Sequence, residues 1–271
     1  MTEIKQLKQG IEEIWNKKQN GLNFDKEYAI SLADEVINLL DSGKICVVEK
    51  ENGSWIINQW VKQGILLSFL NENKISKDEA NCWFDKCENK FKNWTENDFK
   101  TAGIRAVNGS FVRKGSFFGK GCVIMPSFVN IGTNIGDDTM IDSMTTIGSC
   151  TKIGSRCHIS ANVCIGGVLE PLQANPVIIE DDCFIGTGSQ ITEGVIIGEG
   201  SVIASGVSIS SGTKIINRTT GEIFNKIIPP YSVVVPGTYK STENIFISCS
   251  VIVKTTTQEV REKTSINELL R

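Results

Sequence analysis

Large apolar side chains recur at every sixth residue through the middle of this chain. The series runs from residue 105 to residue 165, resumes two residues out of step at residue 179 and ends at residue 215. Seventeen of its eighteen positions are bulky and apolar, and the exception is Arg105. The leading positions are Arg105, Phe111, Phe117, Val123, Val129, Ile135, Ile141, Ile147, Ile153, Ile159, Ile165, Ile179, Ile185, Ile191, Ile197, Ile203, Ile209 and Ile215.

A second series of small or slender side chains lies four residues after the first, from Gly109 to Thr213. A fixed period of six residues predicts a parallel β-helix, in which three hexapeptides form one triangular coil of about 18 residues. The large aliphatic side chain fills the interior, and the small residue sits near a corner where a bulky one would clash. Successive coils stack about 4.8 Å apart, the spacing of neighbouring strands. We therefore expect a mainly β prism over residues 101–237.

Residues 1–100 have a different pattern, which predicts an α-rich N-terminal cap domain. Apolar residues at helical spacing predict helices over 4–14, 29–40 and 59–69. Between the last two, Asn52-Gly53 separates two apolar runs and predicts a β-hairpin. This domain either only covers the open end of the prism or helps to bind substrate or a neighbouring subunit.

Two segments interrupt the repeats. The first, residues 166–176, contains two prolines and shifts the register, and the second is a polar loop over 217–226. A long irregular loop on a rigid scaffold usually carries function. Residues 238–271 form a C-terminal extension, with an apolar strand over 245–253 and a helix begun by the capping box of Ser265 and Glu268.

Composition narrows the class of protein. The net charge of −3 offers no basic field for nucleic acid, and no run of about 20 apolar residues suggests a membrane span. We therefore expect a soluble, cytoplasmic protein. Nine cysteines with scattered spacing favour reduced thiols. Cys82 and Cys87 lie five residues apart, but no second pair completes a metal site, so we expect no bound metal.

Several segments together resemble one family, tetrahydrodipicolinate N-succinyltransferase. The resemblance covers nearly the whole chain and includes Gln59-Trp60 and Leu66-Leu67-Ser68-Phe69 in the cap domain. The segments in the repeats and the tail are Met125-Pro126-Ser127-Phe128-Val129-Asn130-Ile131-Gly132, Gly148-Ser149-Cys150, Gly166-Gly167-Val168-Leu169-Glu170-Pro171-Leu172-Gln173-Ala174-Asn175-Pro176 and Ile266-Asn267-Glu268-Leu269-Leu270-Arg271. The resemblance implies a left-handed parallel β-helix and a homotrimer with sites between subunits.

The resemblance also implies a reaction in lysine and diaminopimelate biosynthesis. A succinyl group would move from succinyl-CoA, a cosubstrate, to the amino group of the ring-opened acceptor, with no permanently bound cofactor. The attacking amine must be unprotonated, so a nearby carboxylate would help. The acceptor is a dianion, which suits an arginine fork.

Carried over residue by residue, Arg105 matches the family's substrate-binding arginine and Asp142 its acidic substrate residue and candidate catalytic base. Alternatively, Arg105 is a linker residue, and Asp142 sits where such repeats tolerate acids, as at Glu180. Gln190 stands where the family usually has a glutamate, and Gln190 cannot accept a proton at neutral pH. Met144 stands where relatives commonly have tryptophan.

The resemblance places the CoA groove between prisms, where Ala204 and Gly206 would let the pantetheine arm lie along the wall. Lys214 is a candidate partner for the phosphates, with a solvated surface lysine as the alternative. The lone histidine, His158, is interpreted as a surface or corner residue; hexapeptide carbonic anhydrases need three histidines for zinc. Two other functions stay open: a related acyltransferase using acetyl-CoA, and a non-catalytic hexapeptide scaffold.

Overall fold

The computed structural model describes residues 3–77 and 82–263, and its centre is a prism of short parallel strands. Each coil contributes one two-residue strand to each of three sheets, and each strand pairs in register with the strands of the coils before and after it. The predicted β-helix of hexapeptide repeats is therefore confirmed. We call the three sheets face 1, face 2 and face 3.

The strands of each face follow from the repeat. Face 1 contains Phe117–Phe118, Asn134–Ile135, Lys152–Ile153, Ile178–Ile179, Ile196–Ile197 and Ile227–Ile228. Face 2 contains Arg105–Ala106, Val123–Ile124, Met140–Ile141, His158–Ile159, Phe184–Ile185 and Val202–Ile203, and continues into Ser232–Thr242, Ile245–Thr255, Ile215–Asn217 and Ile223–Phe224. Face 3 contains Phe111–Val112, Phe128–Val129, Thr146–Ile147, Cys164–Ile165, Gln190–Ile191 and Ser208–Ile209.

The interior of the prism is a column of buried aliphatic side chains, and it corrects the sequence register at its start. From Val129 onward the leading residue of each repeat points inward, as predicted. In the first four repeats the inward residue is the next one along, for example Val112 and Ile124. The reason is that Ile124 and Val129, both fully buried, are only five residues apart, so the register changes there. Arg105 therefore points outward. It does not belong to the buried series, so its polarity does not interrupt that series.

The N-terminal region contains the predicted helices and hairpin. Its helices are α1 (Glu3–Gln19), α2 (Lys26–Asp41) and α3 (Gln59–Ser68). The hairpin pairs Val48–Glu51 with Ser54–Ile57 around Asn52-Gly53, and both turn residues adopt positive φ. The pattern did not predict a second hairpin, Lys74–Lys77 with Cys82–Asp85, or the short helix α4 (Glu96–Ala102).

This region does more than cover the end of the prism. The aromatic side chains of Phe91, Trp94 and Phe99 close the first coil, where they pack against the prism core. The helices α1 to α3 instead share a core with Ile178 and Ile196, which belong to face 1. Face 1 is therefore covered by the N-terminal region.

The C-terminal end adds a long hairpin. Ser232–Thr242 pairs antiparallel with Ile245–Thr255, and the first strand runs past Gly237, where the repeats were expected to end. The polar segment after Asn217 is a short hairpin, in which Ile215–Asn217 pairs with Ile223–Phe224. Helix α5 (Gln258–Lys263) follows, and the predicted capping box at Ser265 lies outside the described residues.

Candidate active site

Arg105 and Asp142 project from the same outer surface of face 2. Arg105 pairs with Val123, and Val123 pairs with Met140 on the next coil. Since side chains alternate along a strand, Met140 and Asp142 both point away from the buried Ile141. The two candidates are separated by two rungs, or about 10 Å, and by about 7 Å along the strand. Arg105 belongs to the first coil, and the linker interpretation is wrong.

The carboxylate of Asp142 is held on both sides. The backbone N–H of Ser143 donates to Oδ1 at 2.7 Å, and Nε2 of His158 lies 3.5 Å from Oδ2. The Asp142 side chain is 27% exposed, so the carboxylate is partly covered but reachable from solvent. A carboxylate in this setting can accept a hydrogen bond from an amine and assist its deprotonation.

Sequence reasoning interpreted His158 as a surface or corner residue and did not connect it with Asp142. It is a strand residue of face 2 rather than a corner residue, and it pairs with Met140 and Phe184 on the coils to either side. Its ring meets Phe184 edge-on, with 5.4 Å between ring centroids. The 18-residue coil carried the signal: residue 158 follows residue 140 by one coil, which places it next to Asp142.

Gln190 lies on face 3, not on face 2. Its side chain is exposed, and its strand pairs with those of Cys164 and Ser208. Within one copy, the structure does not bring Gln190 together with Asp142. Glu193 offers no replacement, because its carboxylate accepts hydrogen bonds from the N–H and hydroxyl of Ser211, which lower its pKa.

The size of the residue at the corner between face 2 and face 3 changes along the prism. Met144, Asn162, Gly188 and Gly206 occupy it on successive coils, all at positive φ. Met144 is 67% exposed, whereas a Cβ built on Gly188 or Gly206 would have no other atom within 4 Å. The corner is therefore bulky near Met144 and open toward Gly206.

The three residues proposed for CoA lie toward the C-terminal end of the prism. Ala204 directly follows the strand Val202–Ile203 of face 2, and Gly206 is two residues further, at the open corner. Lys214 is set apart from them by its aromatic contact, since its Nζ lies 4.1 Å from the ring centroid of Tyr239 in the C-terminal hairpin. The ammonium of Lys214 is thus stabilised against an aromatic face rather than freely solvated.

The interrupting loop at 166–176 is fastened to helix α3 by Lys62. This lysine is fully buried, and its Nζ donates to the carbonyl oxygens of Leu172 at 2.6 Å and Ala174 at 3.0 Å. Burial lowers the pKa of the Lys62 ammonium below its usual range. The loop starts where backbones are very close, since a Cβ on Gly148 would lie 1.9 Å from the nitrogen of Gly167. Sequence reasoning found this loop but not its buried anchor.

Comparison with known proteins places the fold in a class. Residues 132–167 match the bacterial transferase hexapeptide family, and residues 176–211 match the hexapeptide repeat of succinyl-transferase. The chain is a hexapeptide-repeat transferase. Residues 6–70 match a third family, described as the N-terminal domain of tetrahydrodipicolinate N-succinyltransferase.

Full-length relatives define the family more narrowly. The chain is 51% identical over 272 residues to the 2,3,4,5-tetrahydropyridine-2,6-dicarboxylate N-succinyltransferase of Wolbachia pipientis, and the match covers 99% of both chains. It is 52% identical over 240 residues to the Chromobacterium violaceum protein of the same name, with 88% of each chain covered. This chain belongs to the tetrahydrodipicolinate N-succinyltransferase family.

A solved structure gives a weaker likeness. The protein is from Campylobacter jejuni and is named provisionally as a 2,3,4,5-tetrahydropyridine-2-carboxylate N-succinyltransferase. It aligns with a TM-score of 0.47 and 14% identity, over 82% of this chain and 62% of that one.

Proposed function

We propose that this protein transfers the succinyl group of succinyl-CoA to the amino group of ring-opened tetrahydrodipicolinate, a step of lysine and diaminopimelate biosynthesis. The observation that carries this proposal is the 51% identity, over 99% of both chains, to a relative named for that activity. The positions of Arg105 and Asp142 on one outer surface support it.

The proposed reaction is a direct acyl transfer from the thioester to the amine. The amine nitrogen attacks the thioester carbonyl carbon, a C–N bond forms, the C–S bond breaks, and the nitrogen gives up a proton. Asp142 accepts a hydrogen bond from the amine and assists removal of that proton. The departing CoA thiolate takes up one proton, so the overall reaction is balanced. Arg105 binds a carboxylate of the acceptor through its guanidinium fork. Most of the rate enhancement comes from holding two reactants in contact.

The complete site forms between copies of the chain in a homotrimer. Face 1 is covered by the N-terminal helices, whereas face 2 and face 3 carry the candidate residues on their outer surfaces. Asp142 and Gln190 diverge within one prism, so face 2 of one copy must meet face 3 of another for both to reach one acceptor. Gln190 then contributes hydrogen bonds to the acceptor but no proton uptake.

The acyl donor lies along the same junction. The open corner at Gly206 and the small side chain of Ala204 leave room for the pantetheine arm, while Lys214 offers positive charge to the phosphates. Succinyl-CoA is a cosubstrate here, and no permanently bound cofactor is required. No helix in the described part of the chain is long and apolar enough to span a membrane. We assign the protein to the cytoplasm, where its CoA substrate is available.

Release of the CoA thiol tests the proposal. Succinyl-CoA and acetyl-CoA are compared in parallel, each with and without tetrahydrodipicolinate. We expect acceptor-dependent release with succinyl-CoA alone. Preference for acetyl-CoA would instead support a related acyltransferase. Met144 and Gln190, which differ from the residues usual in the family, are the reason for testing that alternative. No release and no CoA binding would indicate a scaffold without catalytic activity.

A further inference from the structure

His158 is the only histidine of the chain, and it lies against the candidate base. Its Nε2 is 3.5 Å from Oδ2 of Asp142, while the other carboxylate oxygen is bound by the Ser143 N–H. Without His158, only one oxygen of Asp142 would have a partner among the described residues. The imidazole therefore completes the set of contacts that fix the carboxylate.

The imidazole is itself constrained. Its strand pairs with those of Met140 and Phe184, and the Phe184 ring packs edge-on against it. The side chain is still 42% exposed, so the ring can exchange protons with solvent. Histidine is the side chain that ordinarily changes charge between pH 5 and 8.

The charged surroundings of His158 are simple on the described part of the chain. Asp142 is the acidic group that faces the ring on face 2. At the neighbouring corner Arg156 forms a two-bond pair with Asp182, and Arg261 of α5 donates to the Asp182 carbonyl oxygen. Arg156 is thus paired with its own partner, and Asp142 is the acidic side chain in contact with the imidazole.

We propose that His158 is a positioning residue for Asp142, and that its protonation switches the availability of that carboxylate to the substrate amine. The neutral ring donates its Nε2 hydrogen to Oδ2 and orients the carboxylate. The protonated ring adds a full positive charge, which competes with the substrate's ammonium form for Asp142. Transfer is then weaker when the ring is protonated than when it is neutral. This inference rests on the proposed function and adds a residue to it.

Two variants separate orientation from charge. His158→Gln places an amide donor near the position of Nε2 but cannot become charged. We expect it to keep kcat/KM within about 3-fold at pH 8 and to lose the fall in kcat/KM between pH 7.5 and 5.5. His158→Ala removes the donor, and we expect kcat/KM to drop by about 10-fold or more at every pH. The Lys17→Gln variant, on the exposed side of α1, serves as the matched control.

The single histidine also gives a readout independent of activity. In untagged protein, the NMR signal of the imidazole Cε1–H needs no assignment, and its titration midpoint is compared between wild type and Asp142→Asn. We expect the midpoint to be lower in the variant, because a carboxylate beside an imidazole favours the protonated ring. An unchanged midpoint would contradict the pairing of His158 with Asp142, regardless of which reaction the protein catalyses.

The kinetic measurements on the His158 variants can also contradict the proposal. If His158→Gln and His158→Ala both keep the wild-type rate and the wild-type acid limb, His158 does not position Asp142. If wild type transfers no succinyl group, the proposed function fails, while the NMR titration still decides whether the pair exists. Should His158→Ala not fold, the His158→Gln profile and the Asp142→Asn titration carry the decision.

Discussion

Lys62 of helix α3 donates a 2.6 Å hydrogen bond to the carbonyl oxygen of Leu172, in the loop that interrupts the repeats. The same ammonium also binds the carbonyl oxygen of Ala174. One buried charge thus joins the N-terminal region to a loop that has no role in the regular coil. The loop is held in place from outside the prism.

Replacing Lys62 tests that anchorage. Lys62→Met leaves the partly buried carbonyl oxygens of Leu172 and Ala174 without their donor, so we expect the free energy of unfolding to fall by about 1–3 kcal/mol. We also expect faster proteolytic cleavage within 166–176. Urea unfolding and limited proteolysis measure the two effects.

The matched control is Lys50→Met. Lys50 also joins the N-terminal region to the prism, through a 2.7 Å ion pair with Glu180, but its side chain is half exposed. We expect a loss of no more than about 1 kcal/mol there, because exposed ion pairs contribute little. Equal losses in the two variants would show that burial of Lys62 is not what matters.

Arg105→Lys tests the substrate-binding fork. The exposed side chain contributes little to folding, so stability should be unchanged. Lysine keeps the charge but loses the planar pair of donors, and we expect KM for the acceptor to rise by about 10–100-fold with a smaller change in kcat. Steady-state kinetics with varied acceptor measures this, with Lys100→Gln on α4 as the control. A variant with wild-type KM would remove Arg105 from the site.

Gln190 is predicted to bind the acceptor without accepting a proton. Gln190→Leu removes both hydrogen-bonding groups, and we expect kcat/KM to fall by about 10-fold. Gln190→Glu supplies a second carboxylate, and we expect kcat at pH 8 to be at least retained and to rise by up to about 10-fold. Wild-type kinetics in Gln190→Leu would mean that this position has no contact with the acceptor.

The buried thiol of Cys122 predicts how the free energy of unfolding depends on pH above pH 9. The thiol is buried and donates to the Gly136 carbonyl oxygen, and burial raises its pKa to about 11, from 9.0. The folded protein therefore keeps a proton that the unfolded chain releases above pH 9, so unfolding is favoured as the pH rises from 9 toward 11. The stabilisation is complete below pH 9 and is lost through that window.

A variant isolates this effect from other groups that titrate in the same range. The stability difference between wild type and Cys122→Ala should shrink by about 1 kcal/mol between pH 8.5 and pH 10. Urea unfolding at the two pH values measures it. A constant difference would show that the Cys122 thiol titrates alike in folded and unfolded chains.

The repeat made the prism predictable, because one buried aliphatic every six residues admits few other folds. It also misled at one point. A five-residue step between Ile124 and Val129 moves the early repeats by one residue, and composition alone cannot separate inward Phe118 from outward Phe117. Arg105 was selected by the family resemblance, and its place among the apolar leading positions gives no further support, because it points outward.

The family resemblance supplied Arg105, Asp142 and Gln190, but their relative positions were predictable only as far as the coil geometry was used. Counting by 18 places His158 beside Asp142 and would have found the pair. The split between Asp142 on face 2 and Gln190 on face 3 needs the corner positions, which depend on where each strand ends. The anchor at Lys62 lies 110 residues from Leu172 in sequence, and no local pattern reveals such a contact.

The division of the site between copies is tested most directly by mixing two impaired variants. Asp142→Asn and Gln190→Leu are each purified, then unfolded and refolded together in equal amounts. If face 2 of one copy meets face 3 of another, random assembly pairs an intact face 2 with an intact face 3 at roughly a quarter of all junctions. We predict recovery of succinyl transfer to about that fraction of wild type, while each variant refolded alone stays at its own low rate. Mixed trimers no more active than the average of the two variants would contradict a site shared between copies.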